Sequence, residues 1–183
     1  FRSTKNTLND VSPWLDIYDI VRLIKLDNVK NEIFGFIYEN YLKELYDEGQ
    51  KGQYFTDPAV VNFMLEQIGY TPERVKKCYD FDKDGISLID PACGSGTFLY
   101  AATDIIIQAF KDGYTKEASK KIERVVTKNI FGLDIEEFPL YLAEMSVLMR
   151  LLPIIIHQKY NNPIDKKIKV FKTRDSISEF MDT

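Results

Sequence analysis

The sequence has little of two residue types on which much enzyme chemistry depends. It contains two cysteines, Cys78 and Cys93, and a single histidine, His157. The cysteines lie far apart without the spacing of a zinc site, so we expect free thiols and no metal. No Ser-His-Asp or Cys-His arrangement can be argued around His157. Two interpretations of Cys93, which lies in a glycine-rich turn, stay open: a nucleophile, or a small residue that fits a tight turn, which we favour.

Long apolar runs and an excess of basic charge are also lacking. The longest apolar candidate, residues 145–156, is interrupted by Arg150 and Pro153, whereas a membrane helix needs about 20 apolar residues. We therefore expect no membrane partner and, with no signal peptide in view, a cytoplasmic protein. The net charge is -4, although nucleic-acid modules usually carry a basic surface. If the protein acts on DNA, we expect the DNA contacts to lie mostly outside this chain.

A strand, a glycine-rich turn and a helix are predicted in the middle of the chain. Residues 86–89 form a short apolar run, the string DPACGSGTFL follows at 90–99, and 99–110 has the pattern of a helix. Gly94 and Gly96 let the backbone turn sharply and approach a ligand, because neither carries a Cβ. Asp90 falls at the carboxyl end of the strand, where open α/β sheets bind ligands. The pattern is typical of a cradle for a nucleotide-containing cofactor.

A second strand, residues 129–134, ends in Asp134 and is followed by a helical pattern over 136–152. A carboxylate in this place can accept hydrogen bonds from both hydroxyls of a ribose. Asp134 lies 38 residues beyond Gly96, whereas a dinucleotide-binding fold expects its acid about 20 residues on. The spacing disfavours a nicotinamide-dependent oxidoreductase.

The flanking segments carry weaker signals. Residues 28–48 have the periodicity of an amphipathic helix, and a helix starting at Pro58 is predicted with Thr56 or Asp57 as its cap. Residues 72–85 are polar and predict an exposed loop, with a helix before the loop left open. Residues 168–171 predict a third strand. We divide the chain into an N-terminal helical segment, 1–50, and the start of an α/β domain, 51–183.

Four strings of the sequence resemble motifs of the DNA adenine-N6 methyltransferases of restriction-modification systems. DPACGSGTFL is similar to motif I, FGLDIEEFPLYLAEM to motif II, GQYFTDP to motif X and RDSI to motif III. The resemblance implies a Rossmann-like class I methyltransferase core with S-adenosylmethionine as its cofactor. It implies strands 1–3 of the family's sheet, in spatial order 3-2-1, and the N-terminal half of the catalytic domain in residues 51–183.

The resemblance also implies roles for individual residues. Thr56 and the backbone around Tyr54 and Phe55 would hold the methionine end of the cofactor. Asp134 would bind the ribose, and Ile135 would pack on the adenine. Asp175 would accept a hydrogen bond from the adenine amino group. The full set of cofactor-binding residues implied is Tyr54, Phe55, Thr56, Asp90, Ala92, Gly94, Gly96, Thr97, Phe98, Asp134, Ile135 and Asp175.

The family's catalytic motif, Asn/Asp-Pro-Pro-Tyr/Phe, does not occur in the sequence. We therefore assign no catalytic residue and expect the chain alone to bind cofactor without methylating DNA. The uncovered edge of the first strand is expected to be covered by another chain or by more of a longer polypeptide. A type I modification subunit and a fused restriction-methylase both fit, and type I systems would add specificity and restriction subunits as partners. Methylation of protein glutamine or RNA, and a non-catalytic assembly role, stay open as alternatives.

Overall fold

The computed structural model describes residues 56–82, 85–110, 115–156 and 168–174. The predicted N-terminal helical segment lies outside these ranges, as do Tyr54, Phe55, His157 and Asp175. The described residues form five helices and three strands. None of these helices is long and apolar enough to cross a membrane.

Helix α1, Pro58–Gln67, begins where the sequence predicts. The Asp57 carboxylate accepts a hydrogen bond from the Ala59 amide at 2.7 Å, so Asp57 is the cap rather than Thr56. A proline at the first helical position has no amide hydrogen left without a partner. Val61 and Leu65, four residues apart on one face, are buried and fix α1 on the core.

Helix α2, Pro72–Asp82, replaces the exposed loop predicted for residues 72–85, so that prediction was wrong. Val75 and Tyr79 are both buried, one helical turn apart. The Tyr79 ring meets the Phe110 ring edge-on with centroids 5.0 Å apart. The many charges of this segment concealed a helix with a narrow apolar face, which tertiary packing stabilises.

Three parallel strands form the sheet: β1 is Leu88–Asp90, β2 is Ile130–Asp134 and β3 is Lys169–Lys172. The spatial order is β1-β2-β3, with β2 in the middle. Asp90 lies opposite Gly132, and Asp134 lies opposite Lys172. Because the strands are parallel, their carboxyl ends meet at one edge of the sheet, which brings Asp90 and Asp134 to the same place.

The connections between the strands are helical. They are α3 (Thr97–Ala109), α4 (Lys116–Asn129) and α5 (Glu137–Ile156). The core lies between these helices and the sheet, and its largest fully buried side chains include Leu99, Ile106, Ile130 and Leu151. The arrangement confirms the predicted α/β class with a partial, Rossmann-like sheet. Predicted boundaries shift by a residue or two, except that α5 continues through Pro153.

Candidate functional site

The turn between β1 and α3 depends on two glycines. Gly94 and Gly96 have φ angles of +51° and +93°, in the left-handed region that side chains disfavour. The Gly96 amide donates to the Cys93 carbonyl at 2.8 Å, and the Tyr100 amide donates to the Gly96 carbonyl at 2.8 Å. The chain therefore closes a tight turn and enters α3 directly. A Cβ built on Gly94 would meet nothing within 4 Å, so the space beside this residue is open.

Asp134 holds the glycine turn in place from the neighbouring strand. Its Oδ2 accepts the Gly94 amide at 2.9 Å, and its Oδ1 accepts the Glu136 amide at 2.9 Å. The Cys93 amide donates to the Leu133 carbonyl at 2.8 Å. These bonds join the glycine turn after β1 to the end of β2. A carboxylate has about four lone-pair sites, so Asp134 keeps acceptor capacity for further donors.

A second carboxylate lies at the same edge of the sheet. The Asp90 Oδ1 accepts the Ala92 amide at 3.1 Å. Burial raises the pKa of Asp90 above its ordinary value, the Ala92 hydrogen bond partly opposes this, and the nearby Asp134 charge adds to the rise. Two nearby carboxylates favour a cationic ligand, whose charge would offset their mutual repulsion. They also favour a hydroxyl-rich ligand, which would donate hydrogen bonds to them.

The Cys93 thiol points into the protein. Cys93 is buried, and burial, together with the charges of Asp90 and Asp134, raises the pKa of its thiol to about 12. The reactive thiolate is therefore scarce at neutral pH. This supports the interpretation of Cys93 as a small residue of the turn rather than a nucleophile.

Two close contacts hold the glycine turn in place. Sequence reasoning singled out neither Gly132 nor Ala143, the residues outside the turn that make these contacts. A Cβ on Gly132 would lie 2.7 Å from Leu99 Cδ1 and 2.9 Å from Cys93 Sγ. A Cβ on Gly96 would lie 2.8 Å from both Cα and Cβ of Ala143 on α5. A glycine inside a buried strand is a sequence sign of close backbone approach. Gly132 in the string FGLD is such a glycine. Ala143 had no such sign.

The predicted site residues are only partly brought together. Hydrogen bonds join Ala92 to Asp90 and Gly94 to Asp134. Phe98, beside Thr97 at the start of α3, packs partly buried against the core, whereas Ile135 is 53 % exposed beside the turn. Thr56 is exposed just before α1.

A cavity lies elsewhere on the described part of the chain. It has a volume of about 1030 Å³, is open to solvent, and is lined by α2 and residues 85–87 before β1. This is the amino end of the strand, opposite the glycine turn, so the cavity does not coincide with the two carboxylates. Within the described ranges no cluster of His, Cys, Asp or Glu could hold a metal ion.

The parallel sheet, the glycine turn and the strand-end carboxylates are features of open α/β proteins, which as a class bind ligands at the carboxyl ends of their strands. The profile of the N-6 DNA Methylase family matches residues 29–172. The chain belongs to this family.

The chain is also similar in sequence to two proteins named as a methylase subunit and a methyltransferase. The chain is 28% identical over 139 residues to the type I restriction enzyme EcoEI methylase subunit of Escherichia coli, covering 76% of this chain and 25% of the relative. It is 29% identical over 100 residues to the adenine-specific methyltransferase PglX of Lacticaseibacillus casei, covering 54% of this chain and 8% of the relative. The chain thus spans a quarter or less of these relatives.

The chain is also similar to a solved structure. It is a modification subunit of a putative type I restriction enzyme from Vibrio vulnificus, with 24% identity and a TM-score of 0.47. The match covers 76% of this chain and 23% of that structure.

Proposed function

We propose that this chain is the cofactor-binding part of an S-adenosylmethionine-dependent DNA adenine-N6 methyltransferase of a restriction-modification system. The observation that carries the proposal is the bond between Asp134 and the Gly94 amide at the carboxyl edge of the sheet. It places a strand-end carboxylate, with acceptor capacity to spare, against a glycine turn that has open space beside it. Family membership and the adenine-specific relatives support the reaction class.

Several features of the described residues support S-adenosylmethionine as the ligand. The space beside Gly94 admits a ligand close to the backbone. Asp134 can accept from ribose hydroxyls while keeping its two backbone bonds. Ile135, more than half exposed, offers apolar surface to an adenine ring. The ammonium and sulfonium charges of this cofactor would offset the unfavourable proximity of Asp90 to Asp134.

The bound cofactor would supply a methyl group on a positively charged sulfur. The work of this chain is to hold and orient it: the glycine turn would fix its position, Asp134 its ribose, and Asp90 its charged end. Thr56, and Tyr54, Phe55 and Asp175 outside the described ranges, are proposed as further contacts. Placing two reactants in line supplies much of the rate enhancement when neither needs covalent activation.

The DNA substrate is proposed to meet the protein mostly through regions outside this chain, in keeping with the net charge of -4. The residues that orient the target adenine are placed there too. The type I methylase subunit among the relatives supports specificity and restriction subunits as partners, and a cytoplasmic location follows from such a role.

Calorimetric titration with S-adenosylmethionine, with NAD as the control ligand, tests the proposal. We expect saturable binding of S-adenosylmethionine alone, weakened in Asp134→Ala by about 1.5–3 kcal/mol through lost charge-assisted hydrogen bonds. Glu117→Ala, which removes an exposed acid on α4, is the matched control and should bind like the unmodified protein. Binding of neither ligand, or binding that Asp134→Ala leaves intact, would contradict the proposal.

A further inference from the structure

Gly96 of the glycine turn packs closely against one small residue of α5. Ala143 is fully buried, and a Cβ added to Gly96 would lie 2.8 Å from the Cα and Cβ of Ala143 and 3.5 Å from its carbonyl oxygen. The turn therefore rests on the backbone of α5, with no room for a larger side chain on either partner.

The turn has a second support on the same βα unit. The Gly94 amide is bonded to Asp134 at the end of β2, which leads into α5. Gly94 and Gly96 are thus anchored two residues apart, one by a hydrogen bond and one by close packing. Displacing Gly96 from Ala143 would tilt the turn and disturb the Gly94 bond to Asp134.

Helix α5 is not free to move aside. Further along the two helices, the Arg150 guanidinium of α5 pairs with the Asp104 carboxylate of α3. The α5 residues Leu140, Val147 and Leu151 are buried in the core. A larger side chain at position 143 would therefore press on the glycine turn.

We infer that Ala143 is a positioning residue, whose small size sets the place of the glycine turn relative to Asp134 and thereby the affinity for the cofactor. The inference rests on the proposed function for the identity of that cofactor. A residue that only fills the core would change stability without changing the turn.

Three variants separate these roles. Ala143→Val enlarges the contact, Ala143→Gly shrinks it, and Ala109→Val makes the same enlargement at the far end of α3, where Ala109 is also buried. We expect Ala143→Val to bind S-adenosylmethionine roughly tenfold more weakly, because a preorganised site tolerates displacements of only about 0.5 Å. Ala109→Val should melt at lower temperature yet bind like the unmodified protein, whereas Ala143→Gly, which withdraws the contact on Gly96, should bind more weakly.

The hydrogen-exchange rate of the Gly94 amide, measured by NMR without cofactor, tests the position of the turn independently of ligand binding. Exchange at Gly94 should accelerate in Ala143→Val beyond the change in global stability, but not in Ala109→Val. Failure of the unmodified protein to bind cofactor would contradict the proposed function, while Gly94 exchange would still decide the positioning role. Unchanged Gly94 exchange in Ala143→Val, or equal loss of affinity in all three variants, would overturn the inference.

Discussion

Among single residues, Asp90 is a carboxyl group whose buried position disfavours its negative charge. Burial and the neighbouring Asp134 raise its pKa, so the folded state favours the protonated form. Its contribution to stability is therefore fully present below the unfolded pKa of about 3.9. That contribution is lost as pH rises through the raised folded value. At neutral pH the negative charge of Asp90 therefore lowers the stability of the folded protein.

Asp90→Asn should consequently make the protein more stable at pH 7. The amide removes the charge and keeps an oxygen that can accept from the Ala92 amide. The gain should shrink as pH falls through the raised pKa of Asp90, because the unmodified carboxyl then becomes neutral as well. Urea unfolding of both proteins between pH 4 and pH 7 measures this. A variant that is less stable at pH 7, or a difference independent of pH, would contradict the assignment.

Asp134 has a structural role as well as a proposed binding role. Asp134→Ala leaves the Gly94 and Glu136 amides without their acceptor. We expect the free energy of unfolding to fall by about 1–3 kcal/mol. Asp134→Asn retains one oxygen and should lose less. Denaturant unfolding without cofactor tests this apart from binding, and an Asp134→Ala protein of unchanged stability would show that these hydrogen bonds contribute little.

Between elements, Gly132 controls how closely β2 approaches α3. Gly132→Ala would bring a methyl group against Leu99 Cδ1, Cys93 Sγ and Val170 Cγ1, and we expect about 1–3 kcal/mol of destabilisation by overpacking. Leu99→Val makes room at the tightest contact. The double variant should therefore lose less stability than the two single losses added together. Strict additivity in this double-mutant cycle would contradict the proposed contact.

The elements also divide into those that sequence patterns predict and one that they do not. The strands before Asp90 and Asp134 were found because buried parallel strands have continuous apolar runs. Helix α2 was missed, since Val75 and Tyr79 form too narrow an apolar face among charges for periodicity to detect. The packing of Tyr79 on Phe110, which is distant in sequence, stabilises that helix.

On the scale of the whole molecule, apolar side chains of α1 and β1 are exposed. On α1, Val60, Phe63 and Met64 are 48%, 60% and 47% exposed, and Ile68, directly after α1, is 66% exposed. Ile89 on β1 is 61% exposed, and among the described strands β1 pairs only with β2. Apolar patches of this kind usually form interfaces. That another chain, or more of a longer polypeptide, covers the strand edge remains a prediction.

We expect this chain, when purified alone, to self-associate through that surface. Phe63→Glu together with Ile68→Glu should lower the association, because both side chains, on α1 and directly after it, are largely exposed. The free energy of unfolding should change by no more than about 0.5 kcal/mol per substitution. Sedimentation velocity over a range of concentrations measures the first effect. Unaltered association in the double variant would place the interface elsewhere.

The sequence by itself determined the α/β class, the glycine turn and the two strand-end acids, because each depends on local pattern: apolar runs, residues without Cβ, and carboxylates directly after strands. It also carried the resemblance from which the cofactor was expected. Only the tertiary structure decided that Asp134 bonds to Gly94, that Gly132 touches Leu99, and that Gly96 rests on Ala143. These contacts join residues about 30 to 50 positions apart, and their distances depend on how helices pack on the sheet, which local periodicity does not specify.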